Sequence, residues 1–304
     1  MVQSVNLFLN KSQLNSRHVK ISLDTAGARL CLATCLARYG KECLRNYHLY
    51  QPPNNKYTLG LHKRKRLETE YCLAIDLRPN KVYFMRIEAV IFDIDGLLID
   101  SEPLWNEAAD EIFAQFGIKL TEQQYLSTTG LRTKEFVDWW FNHFKKDLQL
   151  AEVAENQIIE TVLDKIEKKG TMMKGVHNII NFFHEKKLPM GLATSSPPQL
   201  IDLVLKMLGI TPYITATASA QHLPYGKPHP QVYLDCAKKL NINPTTCLCF
   251  EDSFNGMIAA KAARMKCVVV PAHHQLKEER WAASDLKLSS LQNFGELHFE
   301  ALNR

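Results

Sequence analysis

The residues best suited to chemistry are acids at the ends of apolar runs. In "VIFDIDGLLIDSEPLW", residues 90–105, Asp93 and Asp95 stand two apart. Along an extended strand, positions i and i+2 face the same side. Two neighbouring carboxylates repel each other, and each resists losing its water. Such a pair calls for a cation beside it or a proton on one member. Three later stretches offer partners: "PMGLATSS" ends in Thr194, Ser195 and Ser196, "PYGKPHP" carries Lys227, and "TTCLCFEDS" ends in Glu251, Asp252 and Ser253. One like-charged pair at 4 Å costs about 4 kcal/mol at an effective dielectric of 20. Lys227 offsets one of the four negative charges. A divalent ion offsets two more, and carboxylate oxygens with water are what Mg²⁺ prefers. Carboxylates, Mg²⁺, a lysine and a threonine hydroxyl together suit the stabilisation of a transferring phosphoryl group.

The elements that must position these groups follow from the pattern around them. "IEAVIF" is a short apolar run without turn residues, which predicts a buried strand. Pro103 opens an amphipathic stretch that closes at Gly117, the usual places for these residues in a helix. "TKEFVDWWFNHF" and "LAEVAENQIIETVLDKIEKKG" predict two further helices. Residues 101–171 therefore read as one small helical unit without a strand. After it, helices and strands alternate: "GVHNIINFFHEKK", "PMGLATSS", "PPQLIDLVLKMLG", "YITATAS", "HPQVYLDCAKKL", "TTCLCFEDS", "NGMIAAKAARM" and "CVVVP". Regular alternation predicts an α/β fold, a Rossmann-like doubly wound parallel sheet with helices on both faces. The helical unit falls between the first strand and the rest, so it is an insertion. Ligands of open α/β sheets bind beyond the carboxyl ends of the strands, which is where the four polar stretches gather.

Composition narrows the classes of function. The chain has 304 residues, 46% hydrophobic and 23% charged, enough for one large or two small domains with a real core. No run of 18 apolar residues predicts a membrane span, and no secretory leader opens the chain. The 8 cysteines are scattered, and Cys247 and Cys249 fall in an expected buried strand, so reduced thiols and a cytoplasmic setting are expected. The formal charge of +5 is uneven. Residues 1–84 hold 14 basic and 5 acidic side chains, and the rest holds 23 basic against 27 acidic. "HKRKR" is therefore read as a solvated segment rather than a nucleic-acid site. Cys31, Cys35 and Cys43 lack the paired spacing of a zinc site. A transit peptide is a weaker alternative for a leader poor in acids. Met85 directly precedes "RIEAVIFD", and we expect residues 1–84 to be upstream sequence outside the fold.

"FDIDG", "LATSS", "GKPHP" and "FEDSFNG", in this order, resemble the four motifs of the haloacid dehalogenase-like superfamily. The insert resembles the small α-helical cap of its β-phosphoglucomutase-like subgroup, and the similarity runs over about residues 86–295. "FDIDGLLIDSEPLW", "GLR", "PYGKPHPQVYLDCA" and "FEDSFNGMIAAKAARM" are closer still to bacterial 2-deoxyglucose-6-phosphate and hexitol phosphatases. The resemblance implies a core of residues 85–100 and 172–304 with a cap of 101–171. It implies that Asp93 is the nucleophile and forms an aspartyl-phosphate. Asp95 would protonate the leaving oxygen and then activate water, and its backbone carbonyl would bind the metal. Asp93, Asp95, Asp252 and Glu251 would surround Mg²⁺, with Glu251 near its water shell. Thr194 and Lys227 would hold the phosphoryl oxygens, joined by backbone amides after Asp93 and that of Ser195, with Gly96 letting the chain turn tightly beside the phosphate.

The cap should choose the substrate. In "TTGLRTKE", Gly130 reads as a hinge-like turn and Arg132 as a clamp for an anionic or hydroxylated substrate. Trp105 and the pair Trp139 and Trp140 read as helical core, and His222 and His229 as loop residues. The expected partner is a small phosphorylated sugar or sugar alcohol, handled by a monomer without nucleic acid or membrane. Two alternatives stay open, a sugar phosphomutase and a non-catalytic binding protein on this scaffold. Trp105 stands where β-phosphoglucomutases carry a histidine, which disfavours the mutase. The intact acid, threonine and lysine set disfavours the binding protein. No lysine matches the Schiff-base residue of phosphonate-cleaving relatives, and Asp95 sets the chain apart from dehalogenases.

Overall fold

The computed structural model describes residues 86–303 and, before them, four short strands. β1 (Gln3–Val5) pairs antiparallel with β2 (Tyr47–Leu49), and β3 (Tyr57–His62) with β4 (Ala74–Pro79). These four belong to a unit of residues 1–83, distinct from the unit of residues 84–304. The readings of residues 1–84 as upstream sequence or transit peptide, of the basic cluster, and of Cys31, Cys35 and Cys43 fall, those strands apart, outside the described residues.

The second unit is built on a six-stranded parallel sheet. Its strands are β5 (Ala89–Phe92), β8 (Met190–Thr194), β9 (Ile214–Ser219), β10 (Cys247–Glu251), β11 (Lys266–Val269) and β12 (Leu286–Lys287). Their spatial order is β12-β11-β10-β5-β8-β9. The chain winds outward from β5 through β8 to β9, then returns to the far side of β5 to make β10. That reversal between β5 and β10 opens the crevice in which doubly wound sheets take their ligands.

Period-two side-chain alternation decides what each face buries. Val90, Phe92, Leu192, Leu248 and Phe250 pack on α5 (Val176–Glu185) and α6 (Pro198–Leu208), around Phe183 and Val204. Ala89, Ile91, Ala193, Cys247 and Cys249 pack on α7 (Gln231–Leu240) and α8 (Phe254–Ala262), around Tyr233 and Met257. The second set is smaller, and it includes the buried free cysteines expected from the sequence. A final helix, α9 (Glu296–Leu302), adds Phe299 to the first face.

Between β5 and α5 stand α1 (Glu102–Gln115), α2 (Glu122–Thr128), α3 (Thr133–His143) and α4 (Ala151–Lys169). The sequence pattern missed α2, which is only seven residues long and carries no apolar period. At the neck of the insert, β6 (Ile99–Asp100) pairs antiparallel with β7 (Thr171–Met172). Thr171 therefore begins a strand, contrary to the expectation that residues 101–171 hold none. Two residues per strand are too few for any alternation to show. Trp140 is buried as expected, but Trp139 is 60% exposed. Adjacent positions on a helix lie about 100° apart, so only one of the pair faces the core. No helix among the described residues is long and apolar enough to cross a membrane.

Candidate active site

β5 ends at Phe92, so Asp93 and Asp95 lie beyond the strand rather than on it. The expectation of two acids sharing a strand face is thereby corrected. Asp93 still follows the ladder, its N–H donating to Phe250 O at 3.0 Å. The chain then folds tightly, with the N–H groups of Leu97, Leu98 and Ile99 all directed at Ile94 O. Gly96 takes φ +70° there, in the left-handed region that glycine enters freely. A Cβ at Gly96 would also stand 2.2 Å from Asp252 Oδ2. The turn therefore separates the two acids and brings the backbone against a third.

Asp93 faces the sheet crevice. Lys227 Nζ donates to Asp93 Oδ1 at 2.7 Å and to Glu251 Oε1 at 2.6 Å. Glu251 is fully buried at the end of β10. Tyr233 O–H also donates to its Oε1, while Ser253 N and Oγ donate to Oε2 at 3.2 and 3.1 Å. Four donors use the roughly four lone-pair positions of a carboxylate. Glu251 is thus spent on holding Lys227 and the start of α8. Asp252 differs: its Oδ1 is buried with no hydrogen-bond partner. Oxygens of Asp93, Glu251 and Asp252 all lie within 4.8 Å of one another.

The electrostatics match this crowding. Burial pushes Asp93 up to about 8; Lys227 pulls it down, and Glu251 and Asp95 push it further up. Burial likewise holds Asp252 well above the usual carboxylate range, reinforced by Glu102, Glu251 and Asp93. Burial works against a charged Lys227, yet Asp93 and Glu251 outweigh it and keep its pKa above the ordinary lysine value. Three close buried acids against one lysine leave a deficit of positive charge, and an all-oxygen donor set with an orphaned carboxylate oxygen fits a hard divalent cation.

Asp95 turns toward the helical insert. Its Oδ1 accepts from Ser101 Oγ at 2.7 Å and from Trp105 Nε1 at 2.8 Å, and its Oδ2 from Ser196 Oγ at 2.6 Å. Its carboxylate lies outside the three-acid group, so only its backbone carbonyl is left for the ligand role expected above. Thr194, at the end of β8, accepts from Ser196 N at 3.0 Å and donates toward Asp95 Oδ2 at 3.5 Å. Trp105 and Ser101 were missed as site residues. A hydroxyl at the N-cap of α1 and an indole on its first turn carry no sequence mark of being aimed at an acid six or ten residues earlier.

Asp93, Asp95, Thr194, Ser195, Lys227 and Asp252 line one pocket with Gly130. It opens to solvent and extends between the insert helices past Trp105, Asn106, Tyr125 and Phe136. Among the described residues, Lys227 is its only cationic lining residue. Ser195 Oγ donates to Gly130 O at 2.8 Å, and Gly130 sits at φ +83° against Ser253. Arg132 does not reach this pocket. Its guanidinium is buried against backbone carbonyls of residues 220–224 and against Glu135, so the expected substrate clamp is not formed.

Residues 87–264 match the family model described as haloacid dehalogenase-like hydrolase. Hexitol phosphatase B of Escherichia coli K12 is 42% identical over 207 residues, covering 68% of this chain and 93% of that protein. A fructose-1-phosphate phosphatase of the same organism is 28% identical over 190 residues, covering 62% of this chain and 98% of that one. Among solved structures, a β-phosphoglucomutase from Clostridium difficile aligns with a TM-score of 0.64 at 23% identity, covering 71% of this chain and 97% of the other; this is a likeness of fold.

Proposed function

Because the chain belongs to the haloacid dehalogenase-like hydrolases, we propose that it is a Mg²⁺-dependent phosphatase of small sugar or sugar-alcohol phosphates, of the hexitol phosphate or 2-deoxyglucose-6-phosphate type. The observation that carries this reading is the crevice itself. Asp93 lies 2.7 Å from Lys227 and within 4.8 Å of Asp252, in a pocket that runs on between the insert helices. Relatives named for hexitol and fructose-1-phosphate support the substrate class.

Asp93 attacks phosphorus through its free oxygen and forms an aspartyl-phosphate, and the P–O bond to the sugar breaks. Lys227 Nζ and Thr194 Oγ1 bind the phosphoryl oxygens as their charge grows. Asp95 gives its proton to the departing alkoxide. Once ionised, it takes a proton from the water that hydrolyses the intermediate. Ser101, Trp105 and Ser196 hold its carboxyl in place for both steps. Asp93, Asp252 and the Asp95 carbonyl would surround Mg²⁺, while Glu251, its lone pairs taken by four donors, would hold Lys227 beside them. The bound ion supplies the positive charge that keeps Asp93 ionised at neutral pH and screens its approach to an anionic ester.

Residues 101–171 act on this reading as a cap over a core of 85–100 and 172–304, in a cytoplasmic monomer. The cap end of the pocket offers Asn106, Tyr125 and several threonines to a polyol. A panel of phosphorylated sugars, hexitols and nucleotides, assayed for phosphate release with Mg²⁺ and with chelator, tests the proposal. Metal-dependent turnover with a preference for hexose or hexitol monophosphates is expected. No phosphate release from any of them, or the same rate in chelator, would overturn it.

A further inference from the structure

Arg132 is 6% exposed although it lies on a loop between α2 and α3. Its Nη1 donates to Ala220 O at 3.1 Å, to Gln221 O at 3.4 Å and to Leu223 O, and its Nη2 reaches Pro224 O at 3.4 Å. These carbonyls belong to the segment that leads from β9 to Lys227. Nη2 also donates to Glu135 Oε1 at 2.7 Å, and that same oxygen accepts from Gly226 N at 2.9 Å. Gly226 directly precedes Lys227. A Cβ on it would stand 2.4 Å from Glu135 Oε2 and 2.8 Å from Arg132 Cγ, so the lysine's neighbour is pressed against both side chains. Burial works against a charged Glu135, but the bonds from Arg132 and Gly226 outweigh it and hold its pKa below the usual value.

The same insert segment touches two more catalytic loops. Ser195, beside Thr194, donates to Gly130 O at 2.8 Å, and Asn255, three residues after Asp252, donates through Nδ2 to Thr129 O at 2.9 Å. We infer that Arg132 and Glu135 are positioning residues: docking of the 129–135 segment sets the backbone that aims Lys227 at the transferring phosphoryl group. The insert therefore helps to assemble the catalytic centre as well as covering it. This rests on the phosphatase reading for its activity arm but not for its structural arm.

The test compares two substrates. Para-nitrophenyl phosphate presents the same phosphoryl group as a hexitol phosphate without a polyol. A positioning role lowers kcat on both in Arg132→Ala, by about 100-fold, the scale of a roughly 1 Å misplacement. Glu135→Gln gives about a 10-fold loss on both, and millimolar guanidinium partly restores Arg132→Ala. Hydrogen exchange over residues 220–230 accelerates in both variants, while exchange in β5 and β10 stays at the wild-type rate. A loss confined to the hexitol ester would make Arg132 a substrate clamp and overturn the inference. So would wild-type exchange over 220–230 in Glu135→Gln, a variant that keeps the guanidinium and so survives should Arg132→Ala fail to fold. A wild-type protein inactive on every ester would sink the phosphatase reading alone, because the exchange arm reads the grip without turnover.

Discussion

The two ends of the pocket are built on opposite plans. At the sheet end, Asp93, Lys227 and Glu251 are nearly or wholly buried and joined by charge-assisted bonds of 2.6–2.7 Å. Charges there are closely opposed, and small displacements are expensive in a medium that screens poorly. At the helical end, Trp105, Asn106, Tyr125 and Phe136 present neutral hydrogen-bonding and aromatic surface. Interactions of that kind are individually weaker and adapt to different hydroxyl patterns. On the proposed reading the contrast separates tasks: the sheet end would act on phosphorus, and the helical end would meet whatever is attached to it. Asp95 joins the two, because it follows β5 but is held by Ser101 and Trp105 beside the insert.

Substitutions at the sheet end should have the largest effects and spare no substrate. Asp93→Asn is expected to reduce kcat by at least about 10⁴-fold on every ester while the fold persists; near-normal turnover would remove Asp93 as nucleophile. Lys227→Ala should cost about 10³-fold in rate. It also leaves Asp93 and Glu251 without their cation, at about 3–5 kcal/mol of stability, read by denaturant unfolding. A variant as stable as wild type would show that the ion pairs do not hold the crevice together.

The pH dependence of stability sharpens the same contrast. Asp93 is raised from 3.8 to about 8 in the native chain, and Asp252 and Glu102 also move upward. The native state then binds more protons than the unfolded one between about pH 4 and 8. Stability from this source is complete below about pH 4 and is lost as pH rises through 8. Melting temperatures in chelator should decline over that interval, and saturating Mg²⁺ should flatten the decline. A metal-free curve that climbs with pH would contradict the crowding described here.

The smallest effect is expected where the two ends meet. Trp105→Phe keeps an aromatic ring but removes the 2.8 Å bond to Asp95. It should lower kcat about 10-fold for sugar esters, whose alkoxide needs a proton. Para-nitrophenyl phosphate has a good leaving group and should be nearly unaffected. Equal losses on both substrates would assign Trp105 to the sheet end instead.

Much of this architecture was legible along the chain. The alternation after residue 172 set out the parallel strands, and polar residues at the ends of three apolar runs, with a lysine in the loop after another strand, marked the crevice. Asp252 and Lys227 were found in this way, since motif order and strand polarity survive without coordinates. Other features had no local signal. β12 is two residues long, and α2 has no apolar face to betray it. Arg132 was misjudged because a lone arginine in a polar loop gives no hint of carbonyls 88–92 residues away. Glu251 read as a neighbour of the metal's water shell, whereas its four donors hold it to Lys227, Tyr233 and Ser253.

By itself the sequence determined the fold class, the insertion after the first strand and the inventory of acids, lysine and hydroxyls, because side-chain periodicity and order along the chain are local properties. Only the tertiary structure decided which acid is left with a free oxygen, that Asp95 belongs to the insert side, and that Arg132 grips the lysine loop. Those outcomes depend on which donors arrive from distant segments, and hydrogen bonds of about 3 Å are settled by packing rather than by spacing in sequence.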